Sequence, residues 1–381
     1  MKAIIGYALP DSAFWSEYEQ LWSNSISCPV FQSPKFIRYL AGRFGDDLAI
    51  FQFRSGERLK GAAFFRKENG IYQFLSDLKS DHNFFVIDRD CTQDEVTGFF
   101  DLFFRHVRQE CWRLRLQKKP VNVSYMDTLV EAASGSGLLL VQGKQAVCPV
   151  LRESSPEALS NNLCKSKKAM RNIKALTRQS EPLLEVFQGD EELDAWVDAF
   201  CALHVARWKN TPTPSRYETP GNQDMLVDCM RAWILDGVLI RFSLCLGTQR
   251  VAYCWGFIQE QTFIAHAQAY DAEYSRNSPI KVLIHFIGRW VRDQQINTMD
   301  FGYGSDEYKY AFANEELDLK SISVSGKRHL PFIIRDGINM RLRQNRTFYR
   351  FLRTSVKPAI QKIYVGNRAI VSENSTVKTD T

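Results

Sequence analysis

The sequence predicts an α+β protein made of two copies of one unit, each built around a mixed sheet. Three observations predict it. A strand–turn–strand phrase recurs after about 190 residues, helical and strand periodicities are mixed within each half, and 381 residues suits two domains at roughly 100–200 residues each. Hydrophobic residues at 45% and charged residues at 24% give the balance of a globular protein, which excludes wholesale disorder, collagen and coiled coil.

Residues 14–25 carry apolar side chains at helical spacing, and Pro29 ends that helix. The segment from Phe31 to Phe44 has a Ser33-Pro34 start, a periodic apolar run and a Gly42 stop, and predicts a second helix. Leu48–Phe53 is a strand, Ser55-Gly56 a turn, Gly61–Phe65 the return strand and Ile71–Leu75 a further one. The second half repeats the phrase as Val238–Leu246, Gly247-Thr-Gln, Val251–Ile258 and Thr262–Ala269. Phe51-Gln-Phe53 aligns with Phe242-Ser-Leu244 and Gly56 with Gly247, and a basic residue, Arg58 or Arg250, follows each turn. A period this long means a duplicated domain, where 20–50 residues would have meant a solenoid. We expect units at 1–150 and 151–330, a basic helical extension at 331–370 and a disordered polar tail at 371–381.

Asn161–Leu176 predicts one basic amphipathic helix, with Leu163, Met170, Ile173 and Leu176 on a face apart from Lys165, Lys167, Lys168, Arg171 and Lys174. Asp194–Trp208 and Lys281–Gln294 are further helices, the latter leading into the strand Thr298–Phe301 and the turn Gly302-Tyr-Gly304.

The net charge of +6 is concentrated. Lys327–Arg368 holds eleven Lys or Arg against the single acid Asp336, a net +10, so the rest of the chain carries −4. Such a block either meets a phosphate-rich or membrane surface or simply solvates a helix face. Nine scattered cysteines without a C-x-x-C pair argue against a disulfide framework or zinc site, and no two histidines stand at i, i+4. We therefore expect a reducing cytoplasm and no metal. No apolar run approaches the roughly 18–20 residues of a membrane span, and Pro10 and Asp11 interrupt anything like a signal peptide.

The stretch Ala269–Phe286 has a strand running through Ser275-Arg-Asn-Ser-Pro279 into a helix. That gathers backbone N–H groups, the helix dipole, Arg276 and Lys281 around one point, as a pyrophosphate requires. Ser278 before Pro279 also reads as an ordinary N-cap.

The order His204-x-x-Arg207-Trp208, strand pair, Tyr270-Asp271, Ser278-Pro279, helix, Asp300-Phe-Gly-x-Gly304 and Tyr308-Lys309 resembles the CelD-like acyltransferases of the GNAT superfamily. That group is associated with cellulose and exopolysaccharide gene clusters. The resemblance covers roughly 155–325 and, through Phe31-Gln-Ser-Pro34 and the hairpin, extends weakly over the first half. It implies tandem GNAT-like folds with mostly antiparallel sheets, and an acyl-CoA, acetyl-CoA by expectation, held by Arg276, Asn277, Ser278, Ile280 and Lys281. An amine would attack the thioester directly. That chemistry needs a base, oxyanion donors and an acid for the thiolate. Asp300, Asp306 or Glu307 would be the base, backbone N–H groups around His266–Ala269 the donors, and Tyr308 or Tyr303 the acid. His204, Trp208, Gly304 and Lys309 would meet the acceptor, an amino sugar or other cell-envelope precursor.

Each has a structural rival: Asp300 as a strand-end cap, Tyr308 as packing, His204 and Trp208 as one helix face, Lys309 as a partner of Asp306. Where the group carries Ser-Pro-Gly, this chain has Ser278-Pro279-Ile280, and a side chain there hinders the close approach to phosphate that Gly permits. The related FemABX-like transferases take an aminoacyl group from tRNA, which the basic helix and basic C-terminal block would suit. The third alternative is a non-catalytic scaffold. In it the segment 341–364 docks at the inner membrane face or on a membrane-bound synthesis complex.

Overall fold

The computed structural model describes residues 2–77, 80–209, 211 and 214–344. The first half runs β1 (Lys2–Gly6), α1 (Ser12–Ser23), α2 (Pro34–Arg43), β2 (Leu48–Ser55), β3 (Arg58–Glu68), β4 (Ile71–Phe74), β5 (Val86–Ile87), α3 (Gln93–Gln109), β6 (Arg113–Pro120), α4 (Met126–Gly135) and β7 (Leu139–Arg152). The second runs α5 (Pro156–Cys164), α6 (Lys167–Thr177), β8 (Pro182–Phe187), α7 (Leu193–Trp208), α8 (Pro220–Leu235), β9 (Leu239–Leu246), β10 (Gln249–Gln259), β11 (Thr262–Tyr270), α9 (Pro279–Asp293), β12 (Thr298–Asp300), α10 (Glu307–Tyr310), β13 (Glu315–Ser325) and α11 (Leu330–Gln344).

The described strands form one mixed sheet in the order β1-β2-β3-β4-β6-β13-β7-β12-β11-β10-β9-β8, with β5 added on β3. The path is symmetric about its centre. β1 to β4 and β6 are matched by β8 to β12, and the parallel pairs are β4 with β6 and β11 with β12. The last strands are exchanged: β13 lies beside β6 of the first half and β7 beside β12 of the second, and the two pair with each other from Glu315↔Val150 to Ser325↔Leu139.

The duplicated hairpin agrees to the residue. Gly56 and Gly247 both take φ +60°, the left-handed turn position that favours glycine. Each return strand then carries its irregularity at the third residue: Leu59 pairs with Arg54 and Gly61 with Phe53, leaving Lys60 over, and Arg250 pairs with Cys245 and Ala252 with Leu244, leaving Val251 over. A bulge at the same place in both hairpins is what two copies of one unit would carry.

Three large cores hold the sheet. One packs α3 and α4 on the first half, one packs α5, α6 and α9 on the second, and the third joins α1 and α2 to α7 and α8 across the halves. The third is fastened by a cap that sequence does not reveal. Ser33 makes no side-chain cap for α2; Asp236, at the end of α8, accepts from Lys35 N at 3.0 Å and Phe36 N at 3.2 Å. Asp236→Ala is therefore expected to destabilise the protein by about 1–2 kcal/mol, as loss of an N-cap does, with Asp236→Asn retaining most of the stability in urea unfolding.

Three expectations are corrected or fall outside. The predicted helix 161–176 is two helices, because Ser166 takes an extended backbone and its hydroxyl caps Ala169 N at 3.2 Å. Met170 is consequently turned out to solvent while Ala169 and Asn172 are buried. Strand β8 has an exposed-to-intermediate pattern after Pro182 and carries no clear alternation, so it was not foreseen. The helix at 341–364 lies beyond Gln344 except for its first residues, and the tail 371–381 lies wholly outside the described residues. Among the described residues no helix is long and apolar enough to cross a membrane.

Candidate active site at a fork of two parallel strands

β11 and β12 pair in parallel at only three positions, from Thr262↔Thr298 to Ile264↔Asp300. β11 then continues to Tyr270, paired only with β10, while the chain after Asp300 turns away through Gly302 (φ +70°) and Gly304 (φ +106°) into α10. The result is a fork whose β11 edge has, among the described residues, no strand partner beyond Ile264. A bulge sits there: Gly256 pairs with Ala265 and Trp255 with Ala267, leaving His266 as the extra residue. Gly256 makes the bulge possible, since a Cβ at that position would lie 2.0 Å from Ile264 O.

The base of the fork is closed by a loop from the first half. Asp81 accepts from His266 Nδ1 at 3.1 Å and from Tyr303 N at 3.3 Å, spanning both prongs. Burial alone would raise its pKa, but His266, Lys118 and His82 together hold the carboxyl well below the usual range. Lys118 donates to Ser80 O and stands 5.1 Å from the Tyr303 ring centre. Gly302 fits because a Cβ there would come 2.9 Å from Asp81 Oδ2.

Asp300 is buried, accepts from Gly302 N at 2.7 Å, and lies 3.6 Å from His82 Nε2, which is 3.4 Å from Cys148 Sγ. Burial pushes the Asp300 carboxyl pKa up. Burial, followed by the Asp300 and Asp81 charges, pushes the Cys148 thiol up as well. His82 and Asp300 form part of the wall of a cavity of about 590 Å³ between the halves, with Phe84, Ile264, Arg152 and Gln259.

The other predicted residues occupy several places. Lys309 is buried and donates to Gly302 O at 3.1 Å and Tyr303 O at 2.8 Å, so its ammonium clamps the turn, and Asp306 is 3.7 Å away and exposed. Tyr308 is half-buried against the second-half core, and burial, then the Asp306 charge, raise its phenol pKa. Gly304 donates to Val147 O at 2.9 Å. His204 contacts Ser215 Oγ at 2.8 Å and stacks on Trp208. Between those two on α7, Arg207 lies 4.8 Å from the centre of the Tyr270 ring and bears on the Tyr308 phenol. Arg276 is exposed at the end of a short 3-10 turn, Ala272–Asn277. Ser278 takes φ +47° and its side chain caps nothing, while Pro279 opens α9 with Ile280 and Lys281 beside it. The Arg276–Lys281 turn and the Asp300 cluster thus belong to two ends of one fork.

Sequence reasoning missed Asp81, His82, Cys148, Lys118 and the His266 side chain. They come from four elements, and the one local signal is the polar run Ser80-Asp-His-Asn83 set immediately before Phe84-Phe85.

The first-half counterpart of the fork, where β4 and β6 pair only at Tyr72↔Leu114 and Gln73↔Arg115, is filled. Phe74, Phe84 and Phe85 surround the Lys119 ammonium at 5.4, 5.3 and 5.1 Å.

Residues 165–310 match the family model described as Acetyltransferase (GNAT) domain. No curated protein matches the chain in sequence. Among solved structures, the crystal structure of FemX superposes with a TM-score of 0.59 at 9% identity, covering 84% of this chain and 97% of that one. L-PGS from Bacillus licheniformis gives 0.56 at 11% identity, covering 90% and 98%. The C-terminal domain of a proposed lysylphosphatidylglycerol synthetase from Agrobacterium fabrum gives 0.56 at 11%, covering 86% and 96%. The chain therefore shares the α+β fold of these structures, and residues 165–310 within it are similar to an acetyltransferase (GNAT) domain.

Proposed function

We propose that the protein is an N-acyltransferase that takes an acyl group, acetyl in the simplest case, from acyl-CoA and delivers it to an amine. The observation that carries this is the fork. The free edge of β11 from His266 to Ala269 can pair with an extended pantetheine arm as a further strand would, and its amides can stabilise the thioester oxyanion. Donor binding is proposed for the second unit, 151–330, since the equivalent fork of the first unit, 1–150, is filled by aromatic side chains. At the phosphate end, Arg276, Asn277, Ser278, Ile280 and Lys281 would receive the pyrophosphate, with the exposed cations of neighbouring α6 beside them. Tyr308, on the short helix after the Gly302–Gly304 turn, would give a proton to the CoA thiolate. The acceptor, an amino sugar or other cell-envelope precursor, would approach from the 590 Å³ cavity, where Asp300 and His82 form the polar end that receives the amine proton. His204, Trp208, Gly304, Asp306 and Lys309 would shape the turn and mouth around it.

The exposed face of α6, with Lys167, Lys168, Arg171 and Lys174 and no acid, favours a second reading in which an aminoacyl-tRNA is the donor. Calorimetry with acetyl-CoA, longer acyl-CoAs and tRNA separates the two. Saturable acyl-CoA binding that weakens at least about tenfold in the Arg276→Ala, Lys281→Ala double variant is expected, at roughly 1.4 kcal/mol per decade. No binding to any acyl-CoA, with tight tRNA binding, would transfer the proposal to the second donor. Binding of neither would leave the scaffold reading.

A further inference from the structure

His82 from the loop after β4, Cys148 from the exchanged strand β7 and Asp300 from the end of β12 bring one nitrogen, one sulfur and one oxygen donor within 4.8 Å of one another, all three buried. His82 Nε2 lies 3.4 Å from Cys148 Sγ, within hydrogen-bond reach for sulfur, and 3.6 Å from Asp300 Oδ2, longer than the about 2.7–3.2 Å of an N–H···O bond. Both separations also suit a shared cation. Zinc bonds of about 2.0–2.3 Å at tetrahedral angles separate nitrogen from sulfur by about 3.6 Å and nitrogen from oxygen by about 3.4 Å.

We propose that His82, Cys148 and Asp300 form a three-ligand site for a divalent cation of borderline softness, zinc by preference, whose fourth position faces the cavity between the halves. Imidazole, thiolate and carboxylate together are the ligand types that zinc takes. One thiolate and one carboxylate neutralise a divalent ion, so the loaded set carries no net charge into a buried place. The carboxylate is already oriented for it. Asp300 Oδ1 is engaged by Gly302 N at 2.7 Å, which leaves Oδ2 as the ligand atom and supplies the outer-shell contact that metal-bound carboxylates usually have. His82 and Asp300 line the cavity, so the open position is reachable from it, as in catalytic rather than structural sites.

The role of the cation, though not its binding, rests on the transferase reading. Held at the inner end of the cavity, it would bind the acceptor through an oxygen beside its amine, leaving the amine lone pair free to attack, with Asp300 a ligand in place of a free base and the amine proton leaving to solvent through the cavity mouth. The acceptor would then be an amine with a neighbouring oxygen able to ligate a metal, such as a hydroxyl.

The test is titration of the reduced, chelator-treated full chain with Co²⁺ and then Zn²⁺. We expect about one equivalent of Co²⁺, a thiolate-to-cobalt charge-transfer band with tetrahedral visible bands, displacement by Zn²⁺, and a rise in melting temperature on loading. Cys148→Ala should lose the charge-transfer band and Asp300→Asn the stoichiometric uptake, while Cys91→Ala keeps both. Circular dichroism of the apo variants separates ligand loss from misfolding. Wild-type protein that takes up neither ion, or a band that survives Cys148→Ala, overturns the site. Acyl-CoA binding without metal uptake would sink this inference and leave the transferase reading; metal uptake without acyl-CoA or tRNA binding would do the reverse.

Discussion

Gly256→Ala is expected to lower stability by about 3 kcal/mol or more and to abolish donor binding at the fork. The added Cβ would stand 2.0 Å from the carbonyl oxygen of Ile264 and 2.8 Å from the Phe263 ring. The first of these is backbone of the neighbouring strand and cannot swing aside, so β10 and β11 must part where the bulge begins. Overpacking of a closed interior costs about 1–3 kcal/mol, occasionally more, and here broken ladder bonds add to it. At roughly 2–4 °C per kcal/mol for a chain of this size, the melting temperature should fall by about 6–12 °C. Gly42→Ala is the control. Nothing lies within 4 Å of a Cβ there, and its place within α2 makes alanine the better residue by about 0.5–1 kcal/mol. A Gly256→Ala protein that melts with the wild type would mean that the bulge is not the constraint described.

The same bulge shows why the sequence told part of the site and not the rest. The duplicated hairpin was legible because its signals are local: period-2 apolar runs around Gly56 and around Gly247. The turn from Asp300 through Gly304 to Lys309 was legible for the same reason, as two glycines at positive φ after a strand. His266 was not, because nothing in Ala265-His-Ala267 says that the extra residue of a bulge falls there; the partner glycine is ten residues earlier. Nor could Asp81, His82 and Cys148 be read as neighbours of Asp300. They are joined by the inter-half loop and by the exchange of β7 for β13, which are properties of topology. The expectation of no metal rests on the absence of short ligand spacings, a signal that would be silent on a set drawn from positions 82, 148 and 300. Ser33 illustrates the opposite error: a serine before proline at a helix start carried the local signal of a cap, while the working cap, Asp236, comes from the other half.

Lys119 should make the protein's stability rise with pH, and Lys119→Met should remove that rise while stabilising the chain at neutral pH. Its side chain is fully buried, with Nζ 3.0 Å from Tyr125 Oη, and none of the described residues forms an ion pair with it. Two effects compete. Phe74, Phe84, Phe85 and Tyr125 lie 4.9–5.4 Å from the ammonium and favour the charged form by up to about 2 kcal/mol where water is excluded. Desolvation of an unpaired ammonium opposes this by several kcal/mol, and it wins: burial pushes the lysine pKa well below its ordinary value. The unfolded chain, with its lysine near 10.4, therefore binds more protons than the folded chain over the whole interval between the two pKa values, and unfolding free energy increases with pH there. The slope is at most about 1.4 kcal/mol per pH unit, so wild type should gain up to about 2.7 kcal/mol relative to Lys119→Met between pH 7 and 9 if that interval spans both. Methionine fits a slot shaped for an unbranched side chain and needs no proton, and since even buried ion pairs can be exchanged for apolar side chains with no loss or a gain of about 1–4 kcal/mol, an unpaired ammonium should be exchanged at a gain. Urea unfolding of both proteins at the two pH values measures the difference directly, since every other titrating group is common to them. Parallel stability curves, with the methionine variant the weaker, would mean that the aromatic box holds a charged lysine after all, and that the ring faces outweigh desolvation.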